Sequence, residues 1–378
     1  MGAGGAESRS ADVGVFLDPI TPHFARDELF VQHPYGDFHA PFLHAKERFA
    51  ERGIPVRTAD YLLDGHIAHD VNIYFALGTI RNYRAAAKRS DTILSGLFHF
   101  EAPIVHPTTY RETPEASKYF NRIFSFSTPE ALEPFGCSGL TFHKFMIPEP
   151  YDGVEQGGFE RFWERRDRKF LCMISQNKLP NMWLRELYTE RLRLLEHFGR
   201  SNSIDLYGIG WDQMPFRVGE RRLPPQVVRL QRAIWTRLPF TKNHPYEDVI
   251  KNVWRGTVAS KHETMSGYTF AITYENMELD GWINEKIFDA FLSGTVPVFR
   301  GAPDVTDYIP AECFIDARHF ATHDELESYL RSLGEDEIRD YREAARAFMG
   351  SDAYHPFTKE AFAEKLILAV EEDLAAAA

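Results

Sequence analysis

Residues 268–304 read YTFAITYENMELDGWINEKIFDAFLSGTVPVFRGAPD. The apolar run YTFAITYE predicts a strand, INEKIFDAFLSG a helix starting near Asn284, and TVPVF a second strand. Strand, helix and strand in this order predict a parallel β–α–β unit. The helix interior carries Ile287, Phe288, Phe291 and Leu292, and Gly294 suits its C-terminal end. One residue does not fit a bare helix. Lys286 lies in the first turn, where the positive end of the helix dipole disfavours a cation. It is either solvated or matched to an anion bound there.

The same alternation extends in both directions. DVGVFLDP (12–19), VNIYFALG (71–78), TILSGLFHF (92–100) and RIFSFST (122–128) read as strands, with helical segments at 42–53 and 79–90 between them. Residues 149–169 then concentrate proline, paired glycine and charge, which predicts a linker. The pattern restarts with KFLCMIS (169–175), an amphipathic helix with Leu184, Leu187, Tyr188, Leu192, Leu195 and Phe198 on one face, and SIDLYG (203–208). At 378 residues, two α/β domains are expected. The expected division is 10–150 for an N-terminal domain, 151–168 for a linker, 169–350 for a C-terminal domain, and 351–378 for a terminal helix packing back across the cleft. Ligands of such sheets bind beyond the carboxyl ends of the strands, where Glu275 and Asn276 fall.

Net charge is −12, with 43 basic and 55 acidic residues, which argues against nucleic acid as a partner. Three scattered cysteines suggest a reducing compartment rather than a disulfide framework. The chain shows no signal-peptide pattern and no long apolar span, so a cytoplasmic location is expected. Of the 15 histidines, eight precede residue 110 without metal-ligand spacing. His99-x-Glu101 has the HxE spacing of zinc deaminases but lacks the PCxxC that would follow. GIGWDQ (208–213) starts like a dinucleotide loop and lacks its third glycine.

Residues 268–316, with EN, EK, GTVPV, GAP and YIP in order, resemble the signature of glycosyltransferase family 10, the α1,3/α1,4-fucosyltransferases. ISQNKLPNMWLRELYTERLRLL followed by DLYG, and LFHFEAPIVHP, resemble two further segments of that family. The resemblance implies a GT-B fold, two Rossmann-like domains facing across a cleft. It implies inverting transfer of L-fucose or a related sugar from a GDP-sugar to a saccharide hydroxyl, of α1,3 type, in glycan or polysaccharide biosynthesis.

By the same resemblance Lys286 and Glu285 contact the donor. Asn276, Glu275 and Trp282 join them, Arg185 holds the pyrophosphate, and Tyr207 and Gly208 lie near the base. Glu101 is the expected base, because inverting transfer needs a carboxylate to take the acceptor proton. Partners would be the GDP-sugar and an oligosaccharide or lipid-linked saccharide, the latter bringing the protein near a membrane. No metal is expected, since no Asp-x-Asp occurs. Asn284 replaces the usual Thr or Ser before EK, and should act as a short polar cap. Met277 and Arg300 depart from the family pattern in ways that bear on donor fit. They keep open a family member using another GDP-sugar. A catalytically silent saccharide-binding protein on the same scaffold is the other alternative.

Overall fold

A computed structural model describes residues 12–32, 36–180, 184–212, 216–218 and 247–377. The opening residues 1–11, and residues 181–183 and Gln213 within stretches quoted above, lie outside the described residues.

The first sheet has six parallel strands: β1 (Val13–Asp18), β2 (Val56–Thr58), β3 (Val71–Leu77), β4 (Thr92–Phe98), β5 (Arg122–Ser125) and β6 (His143–Lys144), in the order β2-β1-β3-β4-β5-β6. The second has five: β7 (Lys169–Ile174), β9 (Asp205–Tyr207), β11 (Tyr268–Ile272), β12 (Val296–Phe299) and β13 (Ile315–Asp316), in the order β13-β12-β11-β7-β9. A separate parallel pair joins β8 (Lys178–Pro180) to β10 (Phe216–Val218). Counted within each unit, both large sheets share the order 2-1-3-4-5 and reverse direction between their first and third strands. In such sheets the crevice at the reversal is where ligands sit. In the second unit it lies between the ends of β7 and β11, just before Ser175 and Thr273.

The strands are nearly continuous apolar runs because both faces of each sheet are covered. On β1 and β3 the alternation splits the side chains. Val15, Leu17, Ile73 and Phe75 join one buried cluster, while Phe16, Tyr74 and Ala76 join another on the opposite face. The first of these faces is covered by α1 (Ala40–Ala50) and by the last helix of the chain, Lys359–Ala377. That terminal helix leaves the second unit and packs on the first. Phe362 meets Phe42 and Phe98 edge to face, at 5.6 and 5.7 Å between ring centres. Arg122 holds Glu372 and Asp373, each at 2.7 Å.

The stretch expected to be a linker is packed. Val154, Phe159, Phe162 and Trp163 are buried in one cluster with Ile287, Phe288, Phe291 and Phe348. The two chain crossings between the units run side by side, with Glu149 N donating to the Phe357 carbonyl at 2.7 Å. Elsewhere the units touch closely. A Cβ on Gly281 would stand 1.9 Å from the Phe126 carbonyl oxygen, so only glycine, here at φ +72°, lets the two backbones meet. Trp282 packs against Phe126 beside it at 4.7 Å. Lys144 donates to both the Phe126 carbonyl and the Tyr308 hydroxyl. No helix among the described residues is long and apolar enough to cross a membrane.

Candidate active site

Between the units lies a cleft of about 550 Å³. Its floor is the crevice of the second sheet: Met173 to Gln176 follow or end β7, and Ile272 to Tyr274 with Asn276 follow or end β11. Phe100 and Glu101, beyond the end of β4, close it from the first unit.

The helix predicted near Asn284 begins at Glu285 and runs to Leu292; it is α3, with α2 (Tyr188–Arg200) preceding it in the chain. Asn284 caps α3, its side-chain oxygen accepting from Lys286 N at 3.3 Å. The same oxygen accepts from Lys286 Nζ at 2.9 Å. Lys286 Nζ also reaches Glu275 at 3.0 Å and Glu285 at 3.4 Å. Burial works against the charge of this ammonium, but the two carboxylates outweigh it and raise the pKa above the usual lysine value. Glu275 is wholly buried and accepts from Asn284 N at 3.1 Å through its other oxygen. Gly301 packs on it so closely that a Cβ would fall 2.6 Å from its side chain.

Glu285, Lys286, Asn276, Trp282, Gly208 and Glu101 all line the cleft, although 185 positions separate Glu101 from Lys286. Glu275 stands behind Lys286. Trp282 is buried, and its indole N–H has no hydrogen-bond partner among the described residues. A Cβ on Gly208 would lie 1.9 Å from the Ser175 carbonyl oxygen; the glycine thus keeps the two loops of the crevice in contact. Tyr207 turns aside, its hydroxyl 2.8 Å from that of Tyr268.

Arg185 is not brought to the cleft. It is exposed, with φ +54°, in the turn before α2. The helix starts at Tyr188, later than the apolar stripe from Leu184 suggested, and Leu184 itself is exposed. The arginine in the cleft is Arg191. It is 7% exposed, and its Nη2 donates to the Tyr274 and Glu275 carbonyls at 2.6 and 2.5 Å and to Asn276 Oδ1 at 3.2 Å. The signal that finds it is positional: Tyr188, Arg191, Leu194, Leu195 and Phe198 form the buried face of α2, and one of them is an arginine. Lys178, Lys261 and Asp289 also line the cleft without having been singled out. Lys261 pairs with Asp289 at 2.6 Å.

Met277 and Arg300, the departures from the family pattern, do not line the cleft. Met277 is fully buried in the core, and Arg300 pairs with Glu278 at 2.7 Å and Glu190 at 3.6 Å.

Burial holds the Glu101 carboxyl up at about 7, with Glu285 and Glu275 adding to the rise and Lys286 and Lys178 opposing it. Tyr110 fixes the local backbone, its hydroxyl donating to the Glu101 carbonyl at 2.6 Å. His99 is not a rival base: it is buried, both ring nitrogens are engaged by Ser125 and Thr113, and burial holds its pKa down to about 3. Among the described residues no group of three or more His, Cys, Asp or Glu is arranged to hold a metal ion.

Residues 245–346 match the family described as Glycosyltransferase family 10 (fucosyltransferase) C-term. An α-(1,4)-fucosyltransferase of Arabidopsis thaliana is 38% identical over 77 residues, 20% of this chain and 19% of that protein. The α-(1,3)-fucosyltransferase FucT of Helicobacter pylori is 32% identical over 84 residues, 22% of this chain and 18% of that protein. The matching stretch thus spans about a fifth of the length of these relatives. Among solved structures, Anabaena HepE in complex with UDP aligns at a TM-score of 0.54 and 12% identity, covering 96% of this chain and 100% of that one. The fold is GT-B, two Rossmann-like domains across a cleft.

Proposed function

Because residues 245–346 match glycosyltransferase family 10, we propose that the chain is a member and transfers L-fucose, or a closely related sugar, from a GDP-sugar to a saccharide hydroxyl with inversion. The observation that carries this reading is the meeting of Glu101 from one unit with Lys286 and Arg191 from the other in a single cleft.

Lys286 and Arg191 would hold the diphosphate. Among the described residues Arg191 is anchored through Nη2, which leaves Nε and Nη1 for an anion. Lys286 is held in place before the donor arrives, so little reorganisation accompanies binding. Glu285, half-exposed at the first position of α3, is suited to accept from sugar or ribose hydroxyls. As the acceptor oxygen bonds to the anomeric carbon, the bond from that carbon to the diphosphate breaks. The electron pair leaves on GDP, and the hydroxyl proton passes to Glu101. A carboxylate with a pKa of about 7 is a far better base at neutral pH than an ordinary glutamate. The leaving charge falls to the two cations and the start of α3, with no metal ion in the scheme. Three buried free thiols agree with work in a reducing compartment on glycan or lipid-linked precursors.

The test is turnover of GDP-fucose against a panel of saccharide acceptors, with thermal shift across GDP-, UDP- and CMP-sugars. A ligand at 100 times its dissociation constant adds about 2.7 kcal/mol. Stabilisation by UDP-sugars alone would overturn the donor, and binding of GDP-fucose without any turnover would favour a silent binding protein.

A further inference from the structure

Among the described residues, Lys178 is the cation of the cleft that has neither a task in the mechanism above nor a side-chain partner. Lys286 is tied to Glu275, Asn284 and Glu285, Arg191 to the backbone after β11, and Lys261 to Asp289. Lys178 makes no side-chain hydrogen bond or ion pair among the described residues, yet it is half-buried and lines the same cavity as Glu101, Tyr188, Arg191 and Lys286. A long lysine stem normally carries its charge out to water. Here the backbone fixes the direction. Lys178 opens β8, which pairs with β10, and the preceding Asn177 is pinned by its N–H to the Ile209 carbonyl at 3.0 Å and by its side chain to the Gly210 carbonyl at 2.9 Å.

We propose that Lys178 is shared between the two ends of the reaction, facing Glu101 when the donor site is empty and the diphosphate when a GDP-sugar is bound. The proposal rests on the donor-site reading given above. The charged groups facing Glu101 are Lys178 from β8, Lys286 and Glu285 from α3, and Glu275 from the end of β11. Those facing Lys178 are Glu101, Lys286, Arg191 and Glu285. In the empty enzyme Lys178 favours the ionised carboxylate of Glu101. A diphosphate drawing on the same ammonium weakens that support, so Glu101 becomes a stronger base in the complex where it must take a proton. During transfer one negative charge disappears from Glu101 as it gains the proton, and one appears on GDP as the bond breaks. A cation standing between the two is attracted to the charge at both ends of that movement. Lys178 is a positioning and electrostatic residue; it takes no proton.

The experiment compares wild type, Lys178→Met and Lys178→Arg by GDP calorimetry and by pH profiles of kcat and kcat/KM with GDP-fucose. Lys178→Met should weaken GDP binding about tenfold. It should also move the acid limb of kcat/KM, which reports free enzyme, up by about one pH unit. The limb of kcat should move less, because bound donor already occupies the lysine. Lys178→Arg should restore both in part. If Lys178→Met does not fold, Lys178→Gln carries the same readouts. Unchanged affinity, or weakened affinity with an unmoved acid limb, overturns the sharing. A wild-type protein that does not bind GDP overturns the donor-site reading itself, which is a separate and visible failure.

Discussion

Lys286 Nζ stands 3.0 Å from the carboxylate of Glu275, and the glutamate is entirely out of water. An isolated buried carboxylate would take up a proton rather than remain charged. The pairing therefore explains both residues. Glu275 holds the ammonium at the start of α3 without filling the cleft; burial raises the Glu275 carboxyl above the ordinary range, and the ammonium opposes that rise. The lysine that a bare helix would not favour is stabilised from behind.

Removing one partner of this pair should cost more than binding. Lys286→Ala leaves Glu275 buried without its cation, a loss of about 3–5 kcal/mol in stability. It should also weaken GDP by about 10- to 150-fold, the equivalent of one charge-assisted bond. The double variant Lys286→Ala/Glu275→Gln should recover much of the stability and none of the affinity. Urea denaturation and GDP calorimetry separate the two. Wild-type affinity in Lys286→Ala would return the lysine to a purely structural role.

The two arginines make opposite predictions. Arg191→Met should weaken GDP by at least tenfold, since it removes a charged donor fixed at the cleft floor. Arg185→Ala should leave affinity within twofold, because its side chain is exposed outside the cleft. Reversal of that order in a single calorimetric series would restore Arg185 to the donor site.

The reason Arg185 is the residue that sequence suggests lies in the start of α2. Leu184 and Leu187 extend the apolar spacing backwards, and nothing local reveals that the helix begins only at Tyr188. The main strands are legible because both faces of each sheet are buried, so their apolar runs are unbroken. β2, β6 and β13 have two or three residues each, too few to leave a period. The charged stretch 149–169 hides its buried aromatics among Gly157, Gly158 and five arginine or lysine residues. Lys178 carries no local signal at all. Its surroundings are made by Glu101 and Lys286, 77 positions before it and 108 after.

Transfer should proceed in excess EDTA. In Asp304 and Asp307, the nearest approach to an Asp-x-Asp pair, the first is already engaged: Asp304 accepts from Gly281 N at 2.7 Å, at the contact between the units. The charge on departing GDP would fall to Lys286 and Arg191. Activity lost in EDTA and regained with Mn²⁺ or Mg²⁺ would mean that these cations do not suffice.

Glu101 should set the pH dependence. As a base it must be ionised, so kcat/KM should rise with pH to a plateau above about 7. Glu101→Gln should lower kcat by about 10²–10⁴-fold while leaving GDP affinity nearly intact, because the residue belongs to the opposite wall. Stability should move the other way. In the folded protein this carboxyl holds its proton up to about pH 7, whereas in the unfolded chain it loses it near the ordinary value of 4.5. Between those limits the native state binds more protons, so ionisation weakens the fold progressively as pH rises, and the full penalty is present above about 7. Glu101→Gln removes that penalty. Because Glu101 keeps some contact with water in the cleft, the expected gain is about 1 kcal/mol above pH 7, with no gain below pH 4.5. A variant that is slower and also more stable at pH 8 would mark Glu101 as a charge the fold tolerates only for the reaction. A variant with near wild-type turnover, or a rate flat from pH 6 to 8, would mean the acceptor proton goes elsewhere.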